Sequence, residues 1–371
     1  MSLISGHATP DDTAGYAARI EGAASGHFRR AQGYTVSSIG IGTYLGEPTP
    51  VYDAGYTEAI VEAVGLGCNV VDTASNYRFQ RSERSVGGAL RQLAEAGTPR
   101  EQIVVCSKAG FITYETDHPV DPRRWVAENL INPGIVSGGD IAAGCHCMTP
   151  DFLRHQLSQS LKNTGLECLD VYYVHNPETQ LAEVDEKEFY ARLTRAFEAL
   201  EQEVAAGRIR YYGTATWDAY RVEPGVQNAV SLERVVAAAT AASGGANHHM
   251  RFVQLPVNLV SHEALAAANQ RVGTETVSLL QAADYFGVSV MASGSIMQGK
   301  LAGGLAAWIE QVIPGLADDA TRAIQFVRSV PGLTSALVGM SRAAHVRRNL
   351  ELVKVAPLTE EQFSRMFQQA R

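Results

Sequence analysis

The sequence contains no apolar run approaching the roughly 18 residues that a bilayer span requires, so no membrane association is expected. Cationic side chains are in deficit: 31 Lys and Arg face 39 Asp and Glu, for a net charge of −8. That balance argues against nucleic acid, or an anionic membrane surface, as the main partner. Cysteine is sparse. Cys68, Cys106, Cys145, Cys147 and Cys168 are too few, and odd in number, for a disulfide framework in 371 residues. They point to reduced thiols and a cytoplasmic setting. The first 30 residues carry Asp11, Asp12 and Glu21 and no apolar block, which is not the pattern of a secretory signal. There is no low-complexity tract, no obvious linker and no G-x-G-x-x-G turn. With 46% hydrophobic and 19% charged residues, the chain is rich enough in apolar surface to fold.

What is present is an alternation. Short β-rich apolar runs recur at 38–42, 68–72, 103–106, 170–174, 209–213, 251–255, 288–292 and 334–338. Their starts lie 30, 35, 67, 39, 42, 37 and 46 residues apart, and most intervals hold one strand, one loop and one helix. Runs apolar on both faces, such as Cys68-Asn-Val-Val-Asp72, suit buried parallel strands. Between them lie helical stripes. Leu153, Leu157 and Leu161 repeat every fourth residue, with Thr149-Pro150 at the start and Gly165 past the end. Phe189, Leu193, Phe197, Leu200 and Val204 form a second stripe, closed by Gly207. Eight strands alternating with helices predict a closed (β/α)₈ TIM barrel rather than an open, doubly wound sheet. We expect one α/β domain over residues 1–371. Residues 1–33 form an N-terminal arm, and the anomalous 67-residue interval leaves an insertion, 110–148, on the active-site face.

Barrel enzymes carry their chemistry at the C-terminal ends of the strands. Reading those ends gives Asp72, Lys108, His175 and Thr216, with Tyr77 five residues after Asp72. A phenol is a poor acid at neutral pH. An ammonium held beside it by a carboxylate would lower its pKa, and a histidine could hydrogen-bond a substrate oxygen. Trp217, just past the fifth strand, and Trp125, in the insertion, could wall a substrate pocket. Cys145-His146-Cys147 has one residue between its cysteines, where structural zinc sites have two to four, so it reads as packed loop and no metal is expected.

Several segments together resemble the aldo-keto reductase superfamily. They are Val71-Asp72-Thr73-Ala74-Ser75-Asn76-Tyr77 with Ser82-Glu83, Val105-Cys106-Ser107-Lys108, and Leu169-Asp170-Val171-Tyr172-Tyr173-Val174-His175. Gly207-Arg208-Ile209-Arg210, Val253-Gln254-Leu255-Pro256-Val257-Asn258 and Val338-Gly339-Met340-Ser341 follow in the same order. The resemblance implies a barrel that binds NADPH, with NAD also possible, and transfers hydride between the nicotinamide and a small carbonyl or alcohol substrate. Tyr77 would then be the general acid, Lys108 its activator, Asp72 the partner of Lys108, and His175 the group that orients the carbonyl. Thr216, Gln254, Ser293 and Ser295 would meet the nicotinamide end. Gly339, Ser341, Arg342, His345 and Asn349 would meet the adenosine end. The sequence departs from the family pattern at Ala215-Thr216 (usually Ser-Asn), Ser293 (often aromatic), His345 (often basic or amide) and Arg78 (commonly Gly). The competing readings are a non-catalytic nucleotide-binding regulator and a barrel lyase or isomerase without nicotinamide.

Overall fold

The structure is a computed structural model and describes residues 3–245 and 247–369. Eight parallel strands close into a barrel: β1 Ile39–Gly42, β2 Val70–Asp72, β3 Val104–Ala109, β4 Leu169–His175, β5 Ile209–Ala215, β6 Met250–Pro256, β7 Ser289–Ser293 and β8 Leu333–Gly339. Closure comes from β8 against β1, in register from Ala336↔Ile39 to Gly339↔Gly42. Each strand falls on one of the eight predicted runs. β3 extends to Ala109, three residues beyond its predicted end, because it pairs with β4 as far as Ala109↔Val174 and stays buried on both faces. Lys108 therefore sits inside a strand and not in a loop.

The predicted amphipathic stripes are helices Pro150–Thr164 and Glu186–Ala205. Gly165, at φ 70°, ends the first, and the Asp185 carboxylate caps the second by accepting from Glu188 N–H. In β5 only a glycine fits at 213, since a Cβ there would lie 1.8 Å from the Phe252 carbonyl oxygen.

The N-terminal segment, which shows no clear pattern in sequence, contains helix Pro10–Arg19 and an antiparallel hairpin, Phe28–Ala31 with Tyr34–Ser37. Ala31, Tyr34 and Val36 pack with Val70, Val104, Val171, Phe252 and Leu337 inside the barrel. The hairpin is thus the floor of the barrel and closes its N-terminal end. The 110–148 insertion is also folded. It holds helix Pro122–Val126 and short turns at Ala127–Ile131 and Gly138–Asp140. Its own small core comprises Ile112, Leu130, Val136 and Cys147 against Phe152.

One buried carboxylate ties the floor together. Asp170 is fully buried and forms a 2.7 Å ion pair with Arg100. It also accepts from Ala8 N–H and Val105 N–H, each at 2.7 Å. Removing one partner of a buried pair leaves the other charge uncompensated, at a cost of about 3–5 kcal/mol. Asp170→Ala should lose that much unfolding free energy in urea titration while leaving the opposite, C-terminal mouth of the barrel intact. A loss below about 1 kcal/mol would show that the floor does not depend on this pair.

Candidate active site

Four strands and one loop build the cluster. Asp72 ends β2 and Lys108 lies on β3, where parallel pairing sets Asp72 beside Cys106. The Lys108 ammonium donates to Asp72 Oδ1 at 2.5 Å and to the Thr73 carbonyl at 2.8 Å. Its third N–H has no partner among the described residues, and its Nζ lies 4.8 Å from the centre of the Tyr77 ring. Gln254, on β6, donates from Nε2 to Asp72 Oδ2 at 2.8 Å. Each oxygen of this buried carboxylate thus has a donor. His175 ends β4, with its ring edge-on to Tyr77 at a centroid distance of 5.8 Å. Among the described residues neither His175 ring nitrogen has a hydrogen-bond partner, so both are open to a ligand.

The electrostatics differ in one respect from the sequence reading. Burial is the largest influence on Tyr77 and raises its pKa; Lys108 pulls it down, but the net direction is upward. The expected activation by Lys108 is therefore present but outweighed by desolvation of the phenol. Burial also disfavours the Lys108 charge, yet Asp72 and Tyr77 keep it protonated above the ordinary lysine value. Burial, aided by Lys108 and His146, drives His175 well below the usual imidazole range and leaves it neutral.

A groove opens beside the cluster at the ends of β1, β2, β6, β7 and β8. Small residues (Gly42, Ser293, Gly294, Ser295, Gly339) alternate with Tyr44, Leu45 and Gln254 along it. Beyond Gly339 the chain passes Ser341 and enters helix Ala343–Leu350, whose N-cap residue, Arg342, makes no side-chain cap bond.

Residues 38–305 match the model of the Aldo/keto reductase family. The chain belongs to that family. It is 26% identical over 201 residues to an NADH-specific methylglyoxal reductase of Escherichia coli strain K12, covering 52% of each protein. The chain thus spans about half the length of this curated relative. An aldo/keto reductase from Klebsiella pneumoniae, solved with NADP and acetate, superposes with TM-score 0.62 at 20% identity, covering 93% of this chain and 95% of that one. A glycerol dehydrogenase from Gluconobacter oxydans gives 0.63 at 18% identity, over 93% and 95%.

Within this family member the expected site residues fall into two groups. Asp72, Tyr77, Lys108, His175, Gln254, Ser293, Ser295 and Gly339 lie at the strand ends around one mouth. Thr216 is buried there too, its N–H bound to the Gln254 carbonyl at 2.8 Å. Arg342 and His345 are exposed on the last barrel-side helix, and Asn349 is buried at its end. Arg348, an alternative phosphate partner by sequence position, is committed to Asp318 at 2.6 Å. Trp217 is half exposed at the rim. Trp125 is placed elsewhere. It packs edge-on against Tyr114 at 5.0 Å and lines a separate pocket with Gln80, Gln156 and Gln159, because the insertion folds around its own core. The sequence reading missed Tyr44, which meets Tyr77 edge-on at 5.0 Å. Its only signal is its position two residues past β1. It missed Glu178 as well.

Glu178 is buried in the loop after β4. Its Oε1 accepts from Trp217 N–H at 2.7 Å, while Oε2 has no partner. Burial raises its pKa to about 7, against the Trp217 N–H, which lowers it. The folded protein then holds a proton that the unfolded chain releases near pH 4.3. The associated stability is full below that pH and is lost as pH rises through 7, a difference on the order of 3 kcal/mol. Glu178→Gln should match the parent near pH 5 and exceed it at pH 8. Urea unfolding at both pH values reads this, and a variant-minus-parent difference that stays constant with pH would refute it.

Proposed function

We propose that this protein is an NADPH-dependent reductase of small carbonyl compounds, running in reverse as an alcohol dehydrogenase. The observation that supports it is the Lys108 ammonium, pinned by Asp72 beneath the Tyr77 phenol, with the neutral, partner-free His175 ring on the other side. A carbonyl oxygen between Tyr77 and His175 would accept hydrogen bonds from both. Tyr77 gives up its proton as negative charge develops on that oxygen, and Lys108 stabilises the phenolate left behind. Because the phenol is held above its ordinary pKa, the acid stays protonated through neutral pH.

The residues present fit a nicotinamide nucleotide. The groove floor is open where Gly42, Gly294 and Gly339 carry no side chain. Gln254 keeps its Oε1 acceptor after giving Nε2 to Asp72, so it can meet a carboxamide N–H. The uncapped helix start at Arg342 offers N–H groups to a phosphate. Bound there, the cofactor supplies the hydride. Ser293 leaves the ring without an aromatic partner from β7. Tyr44, Phe111 and Trp217 surround the catalytic groups with apolar surface. The five unpaired cysteines support a reducing, cytoplasmic setting.

Two experiments test this. Tyr77→Phe keeps the ring and removes the proton donor. Carbonyl turnover should fall by at least about 10²-fold, with NADPH binding by protein fluorescence barely changed. Retained turnover of small aldehydes would overturn the assignment, and NADPH binding without turnover in the parent would favour the regulator reading. For cofactor choice, Arg342 has no ion-pair partner among the described residues, whereas Arg347 is paired with Glu62 and Arg348 with Asp318. A guanidinium suits the 2′-phosphate. Arg342→Ala should raise the KM for NADPH several-fold more than that for NADH. Equal effects would remove the residue from phosphate recognition.

A further inference from the structure

The insertion reaches the candidate site through one buried histidine. His146 lies at the insertion's C-terminal end and is completely buried. Its Nε2 is 2.7 Å from the backbone carbonyl oxygen of His175. A carbonyl only accepts, so this nitrogen carries the proton. Its Nδ1 is 2.9 Å from Gln180 Nε2, which donates to it. Gln180 cannot turn its amide over, because Arg192 donates to its Oε1 at 2.6 Å. The chain Arg192, Gln180, His146, His175 therefore has donors and acceptors matched at every step, and burial holds His146 neutral at a pKa of about 4.

Two further observations bind the same groups. The Phe111 ring stands edge-on to His146 at 5.4 Å and to His175 at 5.2 Å, a wedge between the two imidazoles. At Gly110, φ is +143°, and a Cβ would come within 2.7 Å of His146 Nε2 and 2.8 Å of the His175 oxygen. Only glycine lets the strand carrying Lys108 pass so close.

We propose that His146 is a positioning residue for His175: the insertion holds the catalytic imidazole at the mouth through the His146–His175 carbonyl bond, with Phe111 as the lateral stop. His146 touches no reacting atom. Its effect runs through the backbone of β4's last residue, where a misplacement of about 1 Å can cost on the order of 10²-fold in rate. The proposal rests on the reading of His175 given above.

A double-mutant cycle tests it, with a small aldehyde and NADPH in the full-length protein. His146→Ala should lower kcat by about 10-fold or more, with little change in NADPH affinity by fluorescence. His146→Gln, which keeps an N–H donor near the Nε2 position, should recover part of the loss. In a His175→Ala background, His146→Ala should cost nothing further. An equal fold-loss in both backgrounds, or no loss in the parent, would overturn the positioning role. If His146→Ala does not fold, Gln180→Met frees the imidazole while keeping its packing, and the same cycle decides the matter. His175→Ala with full activity would instead overturn the reading of the site, a result distinct from failure of the cycle.

Discussion

The site depends on a charge that could not survive alone. Lys108 and Asp72 are both buried, and taking either out of water costs several kcal/mol unless its bonds are fully replaced. They are replaced. Asp72 receives Lys108 on one oxygen and Gln254 on the other, while Lys108 also reaches the Thr73 carbonyl and lies 4.8 Å from the centre of the Tyr77 ring. This network requires groups from β2, β3, β6 and the β2 loop to converge within hydrogen-bond distance. A closed parallel barrel delivers such convergence, because every strand presents its C-terminal end to one mouth and register fixes its height. Cys106, Tyr173 and Phe252 fill the interior below and keep water from the pair.

Around that pair the backbone is held in conformations that L-residues avoid. After Tyr77, three successive residues, Arg78, Phe79 and Gln80, adopt positive φ of 49°, 56° and 70°. Asn176, immediately after His175, does so at 46°. Each left-handed residue costs about 1–2 kcal/mol, so something must hold it. Arg78 is buried, ion-paired with Asp53, bound to the Glu47 carbonyl and stacked on Tyr52 and Tyr56. Gln80 donates to the Tyr114 carbonyl and accepts from Asn163. The arginine at a position commonly glycine in the family thus has a physical account. Its contacts offset the strain that a glycine would not incur, and they tie the loop bearing Tyr44 to Tyr77. Strain concentrated beside the candidate site fits a mouth shaped for geometry more than for stability.

The strands were legible because burial on both faces leaves a contiguous apolar run, and their near-regular spacing counted eight of them. That Asp72, Tyr77, Lys108 and His175 come together was legible because residues at or just past strand ends fall at a fixed offset from such a run and meet at one mouth. The rest was hidden for definite reasons. The floor hairpin is two four-residue strands, too short for alternation to register. The insertion's core joins Ile112, Leu130 and Val136 to Phe152 on a later helix, contacts at irregular separations that have no period. Cys145-His146-Cys147 drew attention as a metal pattern, yet its working member is His146, bonded to a backbone carbonyl that leaves no trace in sequence. The balance of burial against the Lys108 charge on Tyr77 is likewise a property of the assembled site.

The two ends of the barrel divide the labour. At the floor, buried polar groups are densely bonded: Asp170 with its three donors, and Arg328 bound to Ser38, Gln325 and the Leu352 and Val355 carbonyls, with Arg100 Nε alone in this pair of clusters left without a partner among the described residues. At the mouth, polar groups are buried but left partly unsatisfied. Glu178 Oε2, Asn76 Oδ1 and Thr73 Oγ1 are buried without a partner, and the half-buried His175 ring has no hydrogen bond at either nitrogen among the described residues. An unsatisfied buried group costs about 1–3 kcal/mol, a burden the densely bonded floor helps the mouth carry. His146 belongs by location to the mouth but by bonding to the floor type, for its two nitrogens are both satisfied. A fully satisfied histidine next to an unsatisfied one is the arrangement expected if the first serves to hold the second open.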